Sequence, residues 1–131
     1  LGFPCAQFAH QEPGKDSEIM NTLKYVRPGN GFVPKFTMFS KLNVNGGTAD
    51  KLFAWLTGIC PRPDPLIATT SSVLWSPITT GDIRWNFEKF LIDDTGRPVK
   101  RYAEAYFPLL MENDIKALIN KCVRRSKCCD D

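Results

Sequence analysis

Apolar residues recur at helical spacing in three parts of the chain. This periodicity predicts helices over residues 16–25, 48–57 and 108–122. Suitable start signals stand at the head of each: Asp16 or Ser17 as an N-cap, Thr48 as an N-cap, and Pro108 in the first turn. The buried faces are predicted to comprise Ile19, Met20, Leu23 and Val26, then Leu52, Phe53 and Leu56, then Met111, Ile115, Leu118, Ile119 and Cys122.

A different pattern, close to a period of two, runs through residues 84–92 and predicts a buried strand. The turn residues at 93–96 and the segment 97–102 then predict a hairpin with a returning strand. The alternating positions are Trp85, Phe87 and Leu91 on one side, and Asn86, Glu88 and Phe90 on the other.

Shorter apolar segments at residues 1–5 and 36–39 predict two further strands. The resulting order is strand, helix, strand, helix, hairpin, helix. A strand, a helix and another strand imply a parallel crossover, whereas the hairpin is antiparallel. The pattern therefore predicts an α/β protein with a mixed sheet flanked by helices, as in a thioredoxin-like domain that lacks its first part. Residues 58–82 are rich in Pro, Ser and Thr and predict a long loop that is functional or forms an interface.

Size and charge narrow the class of protein. The chain has 131 residues, which suits one domain, and a net charge of +3 in which acids and bases interleave, so nucleic acid is not an expected partner. No apolar run approaches the roughly 18 residues of a membrane span.

We expect a partial domain over residues 1–120, because the chain opens in what resembles the middle of a buried strand. Residues 121–131 form a basic, Cys-rich tail.

The five cysteines do not have metal-site spacing, and His10 is the only histidine, so no metal site is expected. An odd number leaves at least one thiol free or bonded to another chain. Three of the five fall in the last ten residues, which favours an oxidising, secreted location over the cytoplasmic alternative. The pairing of Cys60, Cys122, Cys128 and Cys129 stays open, and Cys5 is expected to be an inert buried thiol.

The dipeptide Trp85-Asn86 is unusual at the mouth of a strand. An indole N–H and an amide side by side suit an anion or a reactive sulfur, although on the pattern alone simple packing of Trp85 is the preferred explanation. Successive strand residues point to opposite faces, so both can reach one atom only where the backbone is irregular. We predict such an irregularity at this position.

Three separated motifs resemble those of glutathione peroxidases: LGFPCAQFAHQEPG at residues 1–14, LKYVRPGNGFVPKF at 23–36 and DIRWNFEKFL at 82–91. The resemblance extends to about residue 120, and the loop at 27–34 with the Pro-rich segment resembles the classical and plasma-type, tetrameric branch. It implies reduction of hydrogen peroxide and organic hydroperoxides by glutathione or another thiol, in the response to oxidative stress. A homo-oligomer, a tetramer or dimer, is implied as well.

The resemblance also implies a site. Its nucleophile, a selenocysteine or cysteine, lies upstream of the residues given, and no other cofactor is implied. Gln11, Trp85 and Asn86 match the residues that surround that nucleophile, and N–H donors aimed at a chalcogenolate stabilise the anion. Arg27 matches an Arg-Pro-Gly loop and is expected to pair with a substrate carboxylate.

The sequence departs from the family pattern in three ways. The first and third of these, together with the basic, Cys-rich tail, support an alternative: a non-catalytic structural or interaction protein on a peroxidase scaffold. The nucleophile's segment is not among these residues. Ala6 and Ala9 replace the usual Asn and Gly of the first motif, and Ala103-Glu104-Ala105 stands where classical members carry an Arg-rich triplet. No Cys lies between residues 16 and 39, which disfavours an intramolecular disulfide relay through that segment.

Overall fold

The computed structural model describes residues 1–60 and 73–127, with side chains up to residue 122. Its helices are α1 (Asp16–Tyr25), α2 (Lys51–Ile59) and α3 (Glu112–Lys127), and its strands are β1 (Lys89–Ile92) and β2 (Pro98–Tyr102). A 3-10 turn over Pro108–Met111 leads directly into α3.

Helix α1 has the predicted range, but its N-cap is Lys15. The Lys15 N–H donates to Glu18 Oε2 at 2.6 Å, so an acidic side chain in the first turn closes the end of the helix. Ile19 is buried, whereas Met20 is 36% and Val26 is 73% exposed. The predicted burial of these two is wrong because Met20 lies one position off the buried side and Val26 is the C-cap, outside the helix.

Helix α2 begins later than predicted, because Asp50 rather than Thr48 is its N-cap. Asp50 Oδ1 accepts the Leu52 N–H at 2.9 Å, while the Thr48 hydroxyl accepts a hydrogen bond from Asn43 Nδ2. The helix then extends to Ile59, two residues beyond the predicted end. Phe53 and Leu56 are buried as predicted, and Leu52 is 38% exposed.

The predicted strands at residues 1–5 and 36–39 meet in parallel, as the crossover requires, but only through an isolated bridge between Gly2 and Met38. Gly2 N–H donates to the Thr37 carbonyl at 2.9 Å, and the Phe39 N–H donates to the Gly2 carbonyl at 2.8 Å. A Cβ on Gly2 would lie 2.5 Å from Phe36 Cε2, so a larger residue here would displace the Phe36 ring.

The hairpin is antiparallel, with Phe90 opposite Arg101 and a register irregularity between Leu91 and Ile92. Asp93 Oδ1 organises its turn by accepting the N–H groups of Thr95 and Arg97 at 2.9 and 3.0 Å. The predicted strand is wrong over residues 84–88, because β1 begins only at Lys89.

Helix α3 begins after the 3-10 turn and continues past residue 120, the predicted domain boundary, to Lys127. Met111 is buried, but Ile115 is 38% and Ile119 is 57% exposed, so the predicted burial of those two is wrong. Asp114 accepts hydrogen bonds from Lys100 and Tyr102, so the side of α3 that carries Asp114 faces the hairpin. Ile115 and Ile119 each follow a half-buried residue by one position and so lie about 100° around the helix from that side.

The core packs the first motif against α2 and the segment before the hairpin. Phe8 stands at its centre, with Trp75 and Trp85 rings at 5.5 and 5.8 Å between centroids. Residues 61–72 of the predicted 58–82 loop lie outside the described residues. The buried members of the core are Cys5, Phe8, Val44, Phe53, Leu56 and Ile83.

Candidate functional site

Two of the predicted site residues, Gln11 and Asn86, are in direct contact. Asn86 Nδ2 donates to Gln11 Oε1 at 2.7 Å, a hydrogen bond between residues 75 positions apart. The third, Trp85, is half-buried and packs against Phe8, which lies three residues before Gln11. The fold therefore brings the three predicted residues to one place.

Irregular backbone at residues 84–87 makes this contact possible, as predicted. Glu88 Oε1 accepts the Arg84 N–H at 2.6 Å and closes a turn around Trp85 and Asn86. Phe87 has φ +67° and is 81% exposed. The alternation of a regular strand therefore does not hold here, and Asn86 turns toward Gln11.

Gln11 itself is presented by a tight turn. Its N–H donates to the Phe8 carbonyl at 3.1 Å, and the two residues between them, Ala9 and His10, have φ of +50° and +52°. Two central residues with positive φ define the type I′ class of turn. Phe8 is buried while Ala9 and His10 are exposed, so the turn places Gln11 at the surface directly beside the core.

A buried ion pair beneath the 84–87 turn was missed by the sequence analysis. Arg101 Nε lies 2.6 Å from Glu88 Oε2, and the two side chains are 1% and 3% exposed. Arg101 also donates to the carbonyls of Gly81 and Asp82 at 2.8 and 2.9 Å. The available signal was a pair of opposite charges inside the apolar pattern of the hairpin. The pair fixes both ends of the segment that carries Trp85 and Asn86.

Glu104, the charged residue of the altered triplet, lies next to this segment. Arg84 forms an ion pair with Glu104 Oε1 at 2.7 Å, and Glu104 Oε2 is buried without a hydrogen-bond partner. Lys89 Nζ donates to the carbonyls of Glu104 and Tyr106, and desolvation lowers the pKa of Lys89. Glu104 therefore neutralises the cation that directly precedes Trp85.

Arg27, the fourth predicted residue, lies directly after the C-cap of α1. It is exposed and donates its backbone N–H to the Thr22 carbonyl at 2.8 Å. No hydrogen bond or ion pair of the described residues joins it to Gln11, Trp85 or Asn86. Its role in binding a substrate carboxylate stays a prediction.

Cysteines of the described core are poor nucleophiles. Cys5 and Cys60 are buried free thiols, and desolvation raises the pKa of each. Among residues 1–60 and 73–122, no group of three His, Cys, Asp or Glu side chains could hold a metal ion. None of the described helices is long and apolar enough to cross a membrane.

Fold and site together define a class: an α/β protein of thioredoxin-like fold that presents an amide pair and an indole at its surface. The structure is similar to the crystal structure of Trgpx in apo form, with a TM-score of 0.56 and 27% identity, covering 91% of this chain and 56% of that one. A family model described as glutathione peroxidase matches residues 1–57.

Curated relatives agree with the structural likeness. The chain is 51% identical over 125 residues to glutathione peroxidase 1 of Rattus norvegicus, 50% to that of Mus musculus and 47% to that of Sus scrofa. The rat alignment covers 92% of this chain and 62% of the relative, so the chain spans about three fifths of the length of the relatives it matches. The similarity to glutathione peroxidases therefore extends over nearly the whole of this chain.

Proposed function

We propose that this chain is part of a peroxidase that reduces hydrogen peroxide and organic hydroperoxides with a thiol. Gln11, Trp85 and Asn86 surround a selenocysteine or cysteine that lies outside the 131 residues given. The observation that carries the proposal is the 2.7 Å hydrogen bond between Asn86 and Gln11, which joins two motifs 75 residues apart at the surface beside Trp85.

The hydrogen bond orients both amides. Asn86 has two Nδ2 N–H groups and uses one on Gln11 Oε1, so Gln11 directs its own Nε2 donors away from Asn86. The remaining donors of both side chains are available to one anionic ligand. Fixed N–H donors stabilise a thiolate or selenolate, lower its pKa and raise the fraction that is nucleophilic.

The chemistry that follows is a two-electron displacement. The chalcogenolate attacks one peroxide oxygen, the O–O bond breaks, and the leaving alkoxide or hydroxide takes up a proton. The nucleophile becomes a selenenic or sulfenic acid. Two thiols then return it to the reduced state, releasing water and forming a disulfide.

The proposal also concerns which thiol reduces the enzyme. Glutathione carries two carboxylates, and Arg27 is the residue we propose for one of them. The Arg84–Glu104 ion pair works against binding a carboxylate beside Trp85, because Glu104 already occupies the guanidinium. We therefore propose that thiols of lower negative charge reduce this enzyme at least as well as glutathione does.

The test is steady-state turnover by the protein in its full natural length. Hydroperoxide consumption is measured with glutathione and with a neutral thiol, for the wild type and for Gln11→Ala and Asn86→Ala. Each variant is expected to lose on the order of 100-fold in the rate constant for peroxide, the typical effect of removing one donor from an anion-stabilising site.

A matched control is Asn113→Ala, which removes an exposed asparagine of α3 and should leave the rate unchanged. A wild-type protein without turnover, or an Asn86→Ala variant with full turnover, contradicts the proposal. Absent turnover together with a stable oligomer favours the alternative, a non-catalytic interaction protein on this scaffold.

A homo-oligomer is also part of the proposal. Its support is the exposed apolar surface around the loop that follows α1, where Val26, Phe32 and Val33 are 73%, 44% and 58% exposed. Light scattering coupled to size exclusion should give a dimer or tetramer, and Val33→Asp should shift it toward monomer. A clean wild-type monomer contradicts this part.

Secretion, the location favoured by the clustered cysteines, stays a prediction, with the cytoplasm as the alternative. Cys128 and Cys129 lie outside the described residues. Mass spectrometry of the alkylated natural protein, before and after reduction, tests it: bonded cysteines support secretion and fully alkylated thiols support the alternative.

A further inference from the structure

Two buried amides lie beneath the candidate site and are not among its predicted residues. Gln7 is 6% exposed and Asn45 is 2% exposed, in a core otherwise formed largely by apolar side chains. Buried amides are costly unless they are hydrogen-bonded, so their partners show what they stabilise.

Gln7 holds the first motif to the segment around Asn45. Its Oε1 accepts the N–H groups of Val44 and Asn45 at 2.9 and 3.0 Å, and its Nε2 donates to the Asn45 carbonyl at 3.0 Å. Gln7 lies four residues before Gln11. One end of the candidate site is thereby fixed to residues 44–45.

Asn45 continues the connection to the other end of the site. Its Nδ2 donates to the Ile83 carbonyl at 2.7 Å, and its Oδ1 accepts the Ile83 N–H at 2.8 Å. Both backbone groups of Ile83 are therefore held by one side chain. Ile83 lies two residues before Trp85 and three before Asn86.

We propose that Gln7 and Asn45 are positioning residues that set the distance between Gln11 and Asn86. The relay from Gln7 through Asn45 to Ile83 joins the two segments that meet in the Gln11–Asn86 hydrogen bond. Neither residue touches the reacting atoms. Each acts by fixing a backbone segment that carries a donor, and a shift of about 1 Å at a reacting centre can cost on the order of 100-fold in rate.

The sharpest variants replace one buried amide donor by a carboxyl oxygen of nearly the same size. In Asn45→Asp the side chain still accepts the Ile83 N–H but no longer donates to the Ile83 carbonyl. In Gln7→Glu the side chain still accepts the two N–H groups of residues 44 and 45 but loses its bond to the Asn45 carbonyl. Asn43→Asp is the matched control, because it makes the same change at an exposed position two residues from Asn45.

The first readout needs no activity. The Asn86 side-chain amide is identified in a ¹H–¹⁵N spectrum by its disappearance in Asn86→Ala, and the exchange rate of its protons is measured. Asn45→Asp should accelerate this exchange at least tenfold while Asn43→Asp leaves it unchanged. A folded Asn45→Asp protein with a lowered melting temperature but unchanged exchange shows a merely structural role and overturns the inference.

The second readout is kinetic and rests on the proposed function. Asn45→Asp should lower kcat with hydroperoxide by roughly 10- to 100-fold, with KM for the thiol unchanged. In an Asn86→Ala background the same change should cost no further rate, because Asn45 acts through Asn86. Additive losses, or a loss confined to KM, overturn the inference.

Where Asn45→Asp does not fold, Gln7→Glu gives the same decision, because it removes the neighbouring bond of the relay and is read out in the same two ways. The outcomes separate the two proposals. Accelerated exchange in a protein without any peroxidase turnover supports the relay and rejects the proposed function. Full turnover with an unchanged exchange rate in both variants supports the proposed function and rejects the relay.

Discussion

Ala9 and His10 show how the candidate site is presented at the level of single residues. Both adopt left-handed backbone, with φ of +50° and +52°, and they form the turn that sets Gln11 beside the core. A left-handed conformation costs an alanine roughly 1–2 kcal/mol because its Cβ crowds the following carbonyl, whereas glycine adopts it freely. Ala9 also stands where the first motif that resembles glutathione peroxidases usually has glycine.

We therefore expect Ala9→Gly to raise the free energy of unfolding by about 1 kcal/mol. Ala54→Gly is the control, since Ala54 is an exposed residue within α2, where glycine should lower stability by about 1 kcal/mol. Urea or thermal denaturation of both variants measures the difference. A loss of stability in Ala9→Gly would show that the turn carries no strain at this residue.

The candidate site residues could be predicted from motifs, but their geometry could not be predicted from alternation. A regular strand would have placed Trp85 and Asn86 on opposite faces. The irregularity itself was predicted, but the alternation of apolar and polar residues indicates neither the turn that Glu88 closes on the Arg84 N–H nor the left-handed conformation of Phe87. Arg27 matched its motif equally well, but among the described residues it forms no hydrogen bond or ion pair with the other three, so its role stays a prediction.

At the level of elements, the hairpin and the turn before it are held together by the Glu88–Arg101 ion pair. Arg101 bonds Glu88 on one side and the carbonyls of Gly81 and Asp82 on the other, and its guanidinium lies 5.2 Å above the ring of Phe90. Removing one partner of a buried pair leaves the other charge uncompensated.

Arg101→Met is therefore expected to lower the free energy of unfolding by about 3–5 kcal/mol. Lys116→Met removes one partner of an ion pair whose side chains are 65% and 62% exposed, and should change stability by less than about 1 kcal/mol. Denaturant titration compares the two. Equal changes in the free energy of unfolding would show that the buried Glu88–Arg101 pair is no more important for stability than an exposed ion pair.

A second contact between elements joins β2 to α3. Lys100 Nζ and the Tyr102 hydroxyl both donate to Asp114 Oδ2 at 2.7 Å, and these two hydrogen bonds lower the pKa of Asp114. The folded pKa lies below the unfolded value of about 3.9. The stabilisation is thus fully present above that value and is lost as the pH falls through the folded pKa.

Asp114→Asn should accordingly reduce the loss of stability on acidification from about pH 5 to pH 2, compared with the wild type. Melting temperatures across this range measure it. Asp94→Asn, an exposed residue of the hairpin turn, serves as the comparison. Identical acid profiles for wild type and Asp114→Asn would contradict the assigned role of the carboxylate.

Helices and turns were predicted correctly where all the local sequence signals agree. They were predicted wrongly where two local signals compete and contacts with distant residues determine the outcome. The turn at 93–96 and the helix at 16–25 follow local rules and were predicted. Both Thr48 and Asp50 are suitable N-caps for α2. In the structure Asp50 is the N-cap, and the Thr48 hydroxyl instead accepts a hydrogen bond from Asn43. The paired segments at residues 1–5 and 36–39 have the predicted direction but form only one bridge, because extent of pairing depends on neighbouring strands.

For the whole molecule, the order of elements and the three motifs pointed to the α/β, thioredoxin-like fold of glutathione peroxidases. The similarity to Trgpx confirms that fold, and the sequence is similar to those of mammalian glutathione peroxidases 1. The buried polar connections Gln7–Asn45 and Glu88–Arg101 were not predicted, since each links segments more than ten residues apart. These connections position Gln11, Trp85 and Asn86, so the site depends on segments that lie far apart in the sequence.

The central claim is that Gln11 and Asn86 stabilise a chalcogenolate, and the pH dependence of nucleophile alkylation tests it most directly. Iodoacetamide inactivation of the full-length protein is followed from low to high pH for the wild type and Asn86→Ala. Loss of one charge-assisted hydrogen bond is worth about 1.5–3 kcal/mol, so the midpoint should rise by about one to two pH units in the variant. The same midpoint in both proteins would contradict the account.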